Sequence, residues 1–184
     1  MGGLSGMVMG SVSASVVSHA SCPVVVVRED NQVTDSTKYG PVVVGVDGSE
    51  VSQKATAYAF REAQARGAAL IAVHTWMDMQ VQASLAGLSA AQSEWADIEK
   101  EQSELLTENL KEPREEYPEV EVKKLITRDR PVSALTEAAE GAQLLVVGSH
   151  GRGGFKGMLL GSTSRALLQS APCPMMVVRP DEES

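Results

Sequence analysis

Residues 144–164, LLVVGSHGRGGFKGMLLGSTS, decide the fold. Leu144 to Val147 is a short continuous apolar run, the mark of a strand buried on both faces. It passes at once into a loop holding Gly148, Gly151, Gly153, Gly154, Gly157 and Gly161. Glycine lets a backbone approach a neighbour closely because no Cβ intervenes. Ser162-Thr163-Ser164 then opens a segment, residues 165–171, with apolar residues at helical spacing and Pro172 as its stop. Strand, glycine loop and helix start together supply free N–H groups, a favourable dipole and short hydroxyls, which is what a phosphate group requires. Charge agrees, for residues 141–180 hold no Asp or Glu yet carry Arg152, Lys156, Arg165 and Arg179, in a chain of formal net charge −8. A small anion fits that balance better than a polyanion.

Outward from this unit, the chain alternates strands and helices. Pro41 to Val46 reads as a buried strand, and Asp47-Gly48-Ser49-Glu50 starts a helix with Val51, Ala55, Tyr58, Ala59 and Ala63 inward until Gly67 ends it. Ala69 to Thr75 is the second strand, and residues 76–87 form a loop. Ser89 to Lys111 is a long helix with Trp95, Ile98, Leu105 and Leu106 inward and an acidic, solvated outer face. Val120 to Thr127 is the third strand; Pro131 opens a helix that ends at Gly141; Leu144 to Val147 and Met175 to Val178 complete five strands. Such alternation implies a parallel sheet with helices on both faces.

The N-terminal stretch contains an internal repeat. Shifted by 151 residues, Gly2 to Arg28 lies over Gly153 to Arg179 without a gap, with Gly2, Gly3, Gly6, Met7, Gly10, Ser11, Ser13, Cys22, Pro23, Val26, Val27 and Arg28 identical to their counterparts. This outweighs two other readings of the same residues. A secretory signal lacks its basic start, since Arg28 is the first Lys or Arg, and a myristoylation site lacks its hydroxyl residue, since Gly6 stands there. Residues 1–28 are therefore expected to be the last helix and strand of a preceding domain, 29–40 a polar linker, 41–180 a complete domain and 181–184 a tail.

The spacing Gly148-x2-Gly151-x9-Gly161-Ser162, with VVGSHGRGG, LLGSTS and APCP-MMVVR around it, resembles the nucleotide-binding motif of the universal stress proteins. The resemblance extends over residues 41–180. It implies an α/β, Rossmann-like fold with a five-stranded parallel sheet in the order 3-2-1-4-5, plus the extra N-terminal helix and strand. It also implies a stress-response regulator binding ATP, with Mg2+, at the carboxyl ends of strands 1 and 4. AMP or cyclic AMP is the alternative ligand, and a dimeric scaffold that binds no nucleotide is the alternative function. Tandem domains, a cytoplasmic location and no enzymatic role beyond slow ATP hydrolysis follow from the same likeness. So does a homodimer through the last strand, Met175 to Val178, paired with or exchanged for Val24 to Val27.

Carried onto this chain, the resemblance gives each site residue a role. Gly148 and Gly151 let the backbone approach ribose and phosphates, while the Gly161 N–H and the hydroxyls of Ser162, Thr163 and Ser164 hold the phosphate chain. Gly45, Val46, Thr75 and Val147 line the adenine pocket; Arg152 and Lys156 either neutralise phosphate or are ordinary surface charge. Asp47 either accepts from the ribose or caps a helix through a capping box with Glu50. His74 and His150 fall at strand ends, but nothing near them resembles a nucleophile elbow, and no metal site is expected from them. Cys22 and Cys173 are expected to be buried, unbridged packing residues. The acidic balance and few aromatic residues argue against nucleic-acid binding, and no apolar run is long enough to span a membrane.

Overall fold

The computed structural model describes residues 10–28, 31, 39–76, 92–152 and 159–180. Residues 1–9 of the repeat, most of the linker, the loop through Gly87, residues 153–158 with Lys156, the tail, and the side chains of Ser11 and Trp95 lie outside the described residues. The elements are α1 (Ser11–His19), β1 (Val24–Val26), β2 (Val42–Gly45), α2 (Glu50–Arg66), β3 (Leu70–Thr75), α3 (Gln92–Glu116), β4 (Val122–Thr127), α4 (Pro131–Ala138), β5 (Leu144–Gly148), α5 (Ser162–Ser170) and β6 (Met175–Val178).

One sheet of six strands runs in the order β1-β6-β5-β2-β3-β4. Strands β2 to β6 are mutually parallel, and β1 lies antiparallel to β6, with Val24 opposite Val177 and Val26 opposite Met175. The expected five-stranded parallel sheet is thus a six-stranded mixed one, because a β-branched strand with no sheet of its own finds pairing partners along β6. Counted from Val42, the parallel strands lie in the order 3-2-1-4-5.

Strand side chains alternate between two apolar layers. Val43, Val73, Leu145, Val147, Met175 and Val177 pack with Leu135 of α4, Leu167 of α5 and Val17 of α1. Val42, Val44, Leu70, Ala72, Val146, Met176 and Val178 pack with Ala55 and Phe60 of α2 and Leu106 and Leu110 of α3. Helix α2 is held at both ends, since the Ser49 side chain accepts from Ser52 N–H and Gly67 takes the left-handed conformation at φ 60°. Ser49, not Asp47, is the cap, so the expected capping box is absent. Helix α3 continues past Lys111 and through Pro113, closing as Tyr117 N–H donates to the Pro113 carbonyl at 2.9 Å. Its buried stripe is also displaced: Leu105 is exposed and Gln102 is buried, because Gln102, Leu106 and Leu110 recur every four residues on the face toward the sheet.

The N-terminal pieces meet the domain almost symmetrically. Val25 lies opposite Met176, its counterpart in the repeat. Arg28 Nη1 donates to the Gln169 carbonyl at the end of α5, and Arg179 Nη1 donates to the Ala20 carbonyl at the end of α1 at 3.2 Å. Cys173 is buried, and desolvation pushes its thiol up to about 11, whereas Cys22 is exposed, against the expectation that both are packed. Among the described residues no helix is long and apolar enough to cross a membrane.

Candidate functional site

Strands β2 and β5 are parallel neighbours, but β2 leads to α2 on one face and β5 leads toward α5 on the other. Chains leaving in opposite directions open a crevice at the carboxyl ends, where ligands bind in open α/β sheets. Asp47 follows β2, and the glycine loop follows β5.

Asp47 joins the two sides. Its Oδ1 accepts from Ser49 N–H at 2.9 Å and from Ser49 Oγ at 2.7 Å, and its Oδ2 accepts from Arg152 N–H across the crevice at 3.1 Å. Its own N–H donates to the buried Ser52 hydroxyl at 3.0 Å. Two glycines make this fit possible. A Cβ on Gly151 would collide with Asp47 Oδ2, and one on Gly48, where φ is 78°, would collide with the Arg152 guanidinium. Arg152 therefore folds back over the β2–α2 turn.

On the other side, helix α5 begins after Gly161 with no side-chain cap. Arg165 N–H donates to the Gly161 carbonyl at 3.0 Å, and no partner for the amides of Ser162, Thr163 and Ser164 is found among the described residues. These first-turn donors point where an anion is favoured. Two expected phosphate donors are committed elsewhere. Gly161 N–H donates to the Ser149 carbonyl at 2.7 Å, and the buried Ser164 hydroxyl donates to the Gly148 carbonyl at 2.6 Å. Both bonds fold the loop onto the end of β5, so they shape the site from beneath. Gly161 must also be small, because a Cβ there would stand 3.2 Å from His150 Cα.

The expected adenine walls are also specific in what they do. Gly45 makes room for Leu135, whose Cδ1 would stand 3.2 Å from a Cβ, and Val147 packs in the same layer. Val46 turns its side chain into the opposite layer, and its carbonyl accepts from His74 Nδ1 at 2.7 Å. Thr75 closes β3 beside Thr127, half-buried. His74 is buried on Val46 and Gln102, and His150 Nδ1 lies 3.0 Å from Ser149 Oγ. Among the described residues no cluster of three or more His, Cys, Asp or Glu could hold a metal. Sequence reasoning missed Ser52 and Gln102; a polar residue on a buried helical stripe was the available signal in both cases.

The chain resembles known proteins along nearly all of its length. It is 46% identical over 178 residues to a universal stress protein of Mycobacterium tuberculosis strain H37Rv, which covers 97% of this chain and 58% of that relative. A solved structure described as a universal stress protein in complex with cAMP is 27% identical, with a TM-score of 0.52, covering 76% of this chain and 96% of the other. A universal stress protein from Archaeoglobus fulgidus in complex with dAMP shares the fold at 23% identity, with a TM-score of 0.54 over 76% of this chain and 98% of the other. The sequence profile of the universal stress protein family matches residues 1–28 and 38–179, and the chain belongs to that family.

Proposed function

We propose that this protein binds an adenine nucleotide in the crevice between β2 and β5 and acts as a nucleotide-responsive regulator, not as an enzyme. The observation that carries the reading is the pairing of two features across one crevice. A carboxylate stands at the end of β2, suited to ribose hydroxyls, and the uncapped first turn of α5 offers Ser162 and Thr163 as phosphate donors. The two solved relatives, described as complexes with cAMP and dAMP, support an adenylate. ATP with Mg2+ is the ligand implied by the glycine motif. AMP or cyclic AMP is the alternative, in line with the nucleotides of those two solved relatives.

Calorimetric titration of the full chain with AMP, cyclic AMP, ATP and GMP tests this. Heat with the adenine nucleotides and little with GMP is expected. Silence with all of them, and no nucleotide released from the purified protein by heat, would remove the reading.

We also propose that residues 1–28 are the end of a preceding domain of the same kind. The exposed apolar residues Val16 of α1 at 48%, Val25 of β1 at 47% and Val27 just after β1 at 66% correspond in the repeat to Leu167, Met176 and Val178, all buried at 6% or less. Mixing the chain with the part of the Mycobacterium tuberculosis relative that it does not cover is the check, a one-to-one complex being the expected product. A homodimer through Met175 to Val178 would need β1 exchanged between chains, since β6 is already paired on both sides.

A further inference from the structure

Behind the crevice lies a buried ionisable group that nucleotide binding leaves unused. His74, 6% exposed, places Nδ1 at 2.7 Å from the Val46 carbonyl and Nε2 at 2.9 Å from the Gln102 side-chain amide. A backbone carbonyl can only accept, so Nδ1 carries a proton. The ring's Nε2 edge meets Gln102, whose Oε1 lies 2.9 Å away. The Val46 carbonyl thus requires the Nδ1 proton, while the Gln102 amide, which can present either end, holds the ring in place.

The position of this bond along the chain gives it a role. The β2–β3 ladder ends as Val46 N–H donates to the Val73 carbonyl at 2.8 Å, and the next residue is Asp47. The Val46 carbonyl, on His74, and the Asp47 N–H, on the Ser52 hydroxyl, are the two fixed ends of the peptide that precedes the carboxylate accepting from Arg152 N–H. On the other side, Gln102 shares the buried α3 stripe with Leu106 and Leu110, so the relay reaches from a core helix to the crevice.

We propose that His74 is a positioning residue: its Nδ1–H orients the Val46–Asp47 peptide so that the Asp47 carboxylate meets the glycine loop, and Gln102 holds the imidazole in the orientation that does so. This deepens the binding reading and rests on it for the consequence toward nucleotide, whereas the geometry itself exists without ligand. A residue that merely fills the core would affect global stability and leave the Asp47–Arg152 contact untouched.

The experiment compares His74→Asn, whose amide N–H falls where Nδ1–H stands, with His74→Gln, which reaches toward Nε2 and leaves the Val46 carbonyl without a donor. In ligand-free full chain, long-range 1H–15N spectra should show His74 protonated on Nδ1. Exchange of the Arg152 amide should match wild type in His74→Asn and be about tenfold faster in His74→Gln, the size of one lost hydrogen bond. AMP affinity should follow the same split. Protonation on Nε2 alone, or equal Arg152 exchange in the two variants, would overturn the proposal. Should His74→Gln fail to fold, Gln102→Leu serves: it keeps the imidazole but removes the group that holds its Nε2 edge, so unchanged Arg152 exchange there would overturn it equally. If AMP binds no variant while the exchange split persists, the positioning role stands and only the ligand reading falls.

Discussion

Replacing Gly151 by Ala should be harmful only while Asp47 is present. The added methyl would fall on Asp47 Oδ2, forcing the carboxylate to rotate and lose its 3.1 Å bond from Arg152 N–H. A hydrogen bond to a charged group is worth about 1.5–3 kcal/mol, and the lower end applies because Asp47 is only half-buried. Gly151 has a negative φ, so Ala fits the backbone and returns about 0.5 kcal/mol through the unfolded chain. Gly151→Ala should therefore destabilise the wild type by about 1 kcal/mol. In an Asp47→Ala background the same methyl meets nothing, and the effect should lie between neutral and about 0.5 kcal/mol stabilising. The coupling, about 1.5 kcal/mol, is well above what distant sites show. Urea unfolding of the four proteins, compared at equal m-values, measures it. An identical cost for Gly151→Ala in both backgrounds would show that the carboxylate does not lie against Gly151, and the crevice described above would be wrong.

Other outcomes follow from single contacts. Ser162→Glu puts a carboxylate at the start of α5, so it should raise stability by about 0.3–1 kcal/mol through the helix dipole; the same change should weaken AMP binding at least roughly tenfold, as two opposed shifts in one variant. Phe60→Ala empties a fully buried site against Tyr117 and should cost about 3–5 kcal/mol in chemical unfolding. The Cys173 thiol, raised to about 11 by burial, stays neutral in the fold while the unfolded chain ionises near its ordinary value. Its contribution is thus complete below that ordinary value and lost as pH rises toward 11, so the alkaline fall in stability should be shallower in Cys173→Ala. In native protein a maleimide should label Cys22 and spare Cys173, and two labels per folded chain would contradict the burial described.

What could be read in advance was whatever a single segment encodes. Leu144 to Val147 announces a buried strand by composition, Gly67 a helix end, and the repeat between Gly2 to Arg28 and Gly153 to Arg179 a second helix and strand of the same type. The places of Gly48 and Gly151 were legible, but their purpose was not, since each makes room for a side chain from the opposite loop. The same holds for Gly161 N–H and Ser164 Oγ, which looked like ligand donors because their partners, the carbonyls of Ser149 and Gly148, become visible only once the loop is folded. Gln102 was hidden by its polarity, as apolar letters alone define a stripe when the partner at its end, here His74, is unknown.

The two borders of the sheet are unlike each other. On β4, Lys123 and Lys124 stand exposed and repel a second strand, while β1 carries no charge and leaves Val25 exposed. Any strand-to-strand self-association must therefore occur at one end only. Two chains meeting there would exhaust each other's adhesive border and stop as a closed pair, so crowding of this protein is expected to yield finite particles and no growing fibre.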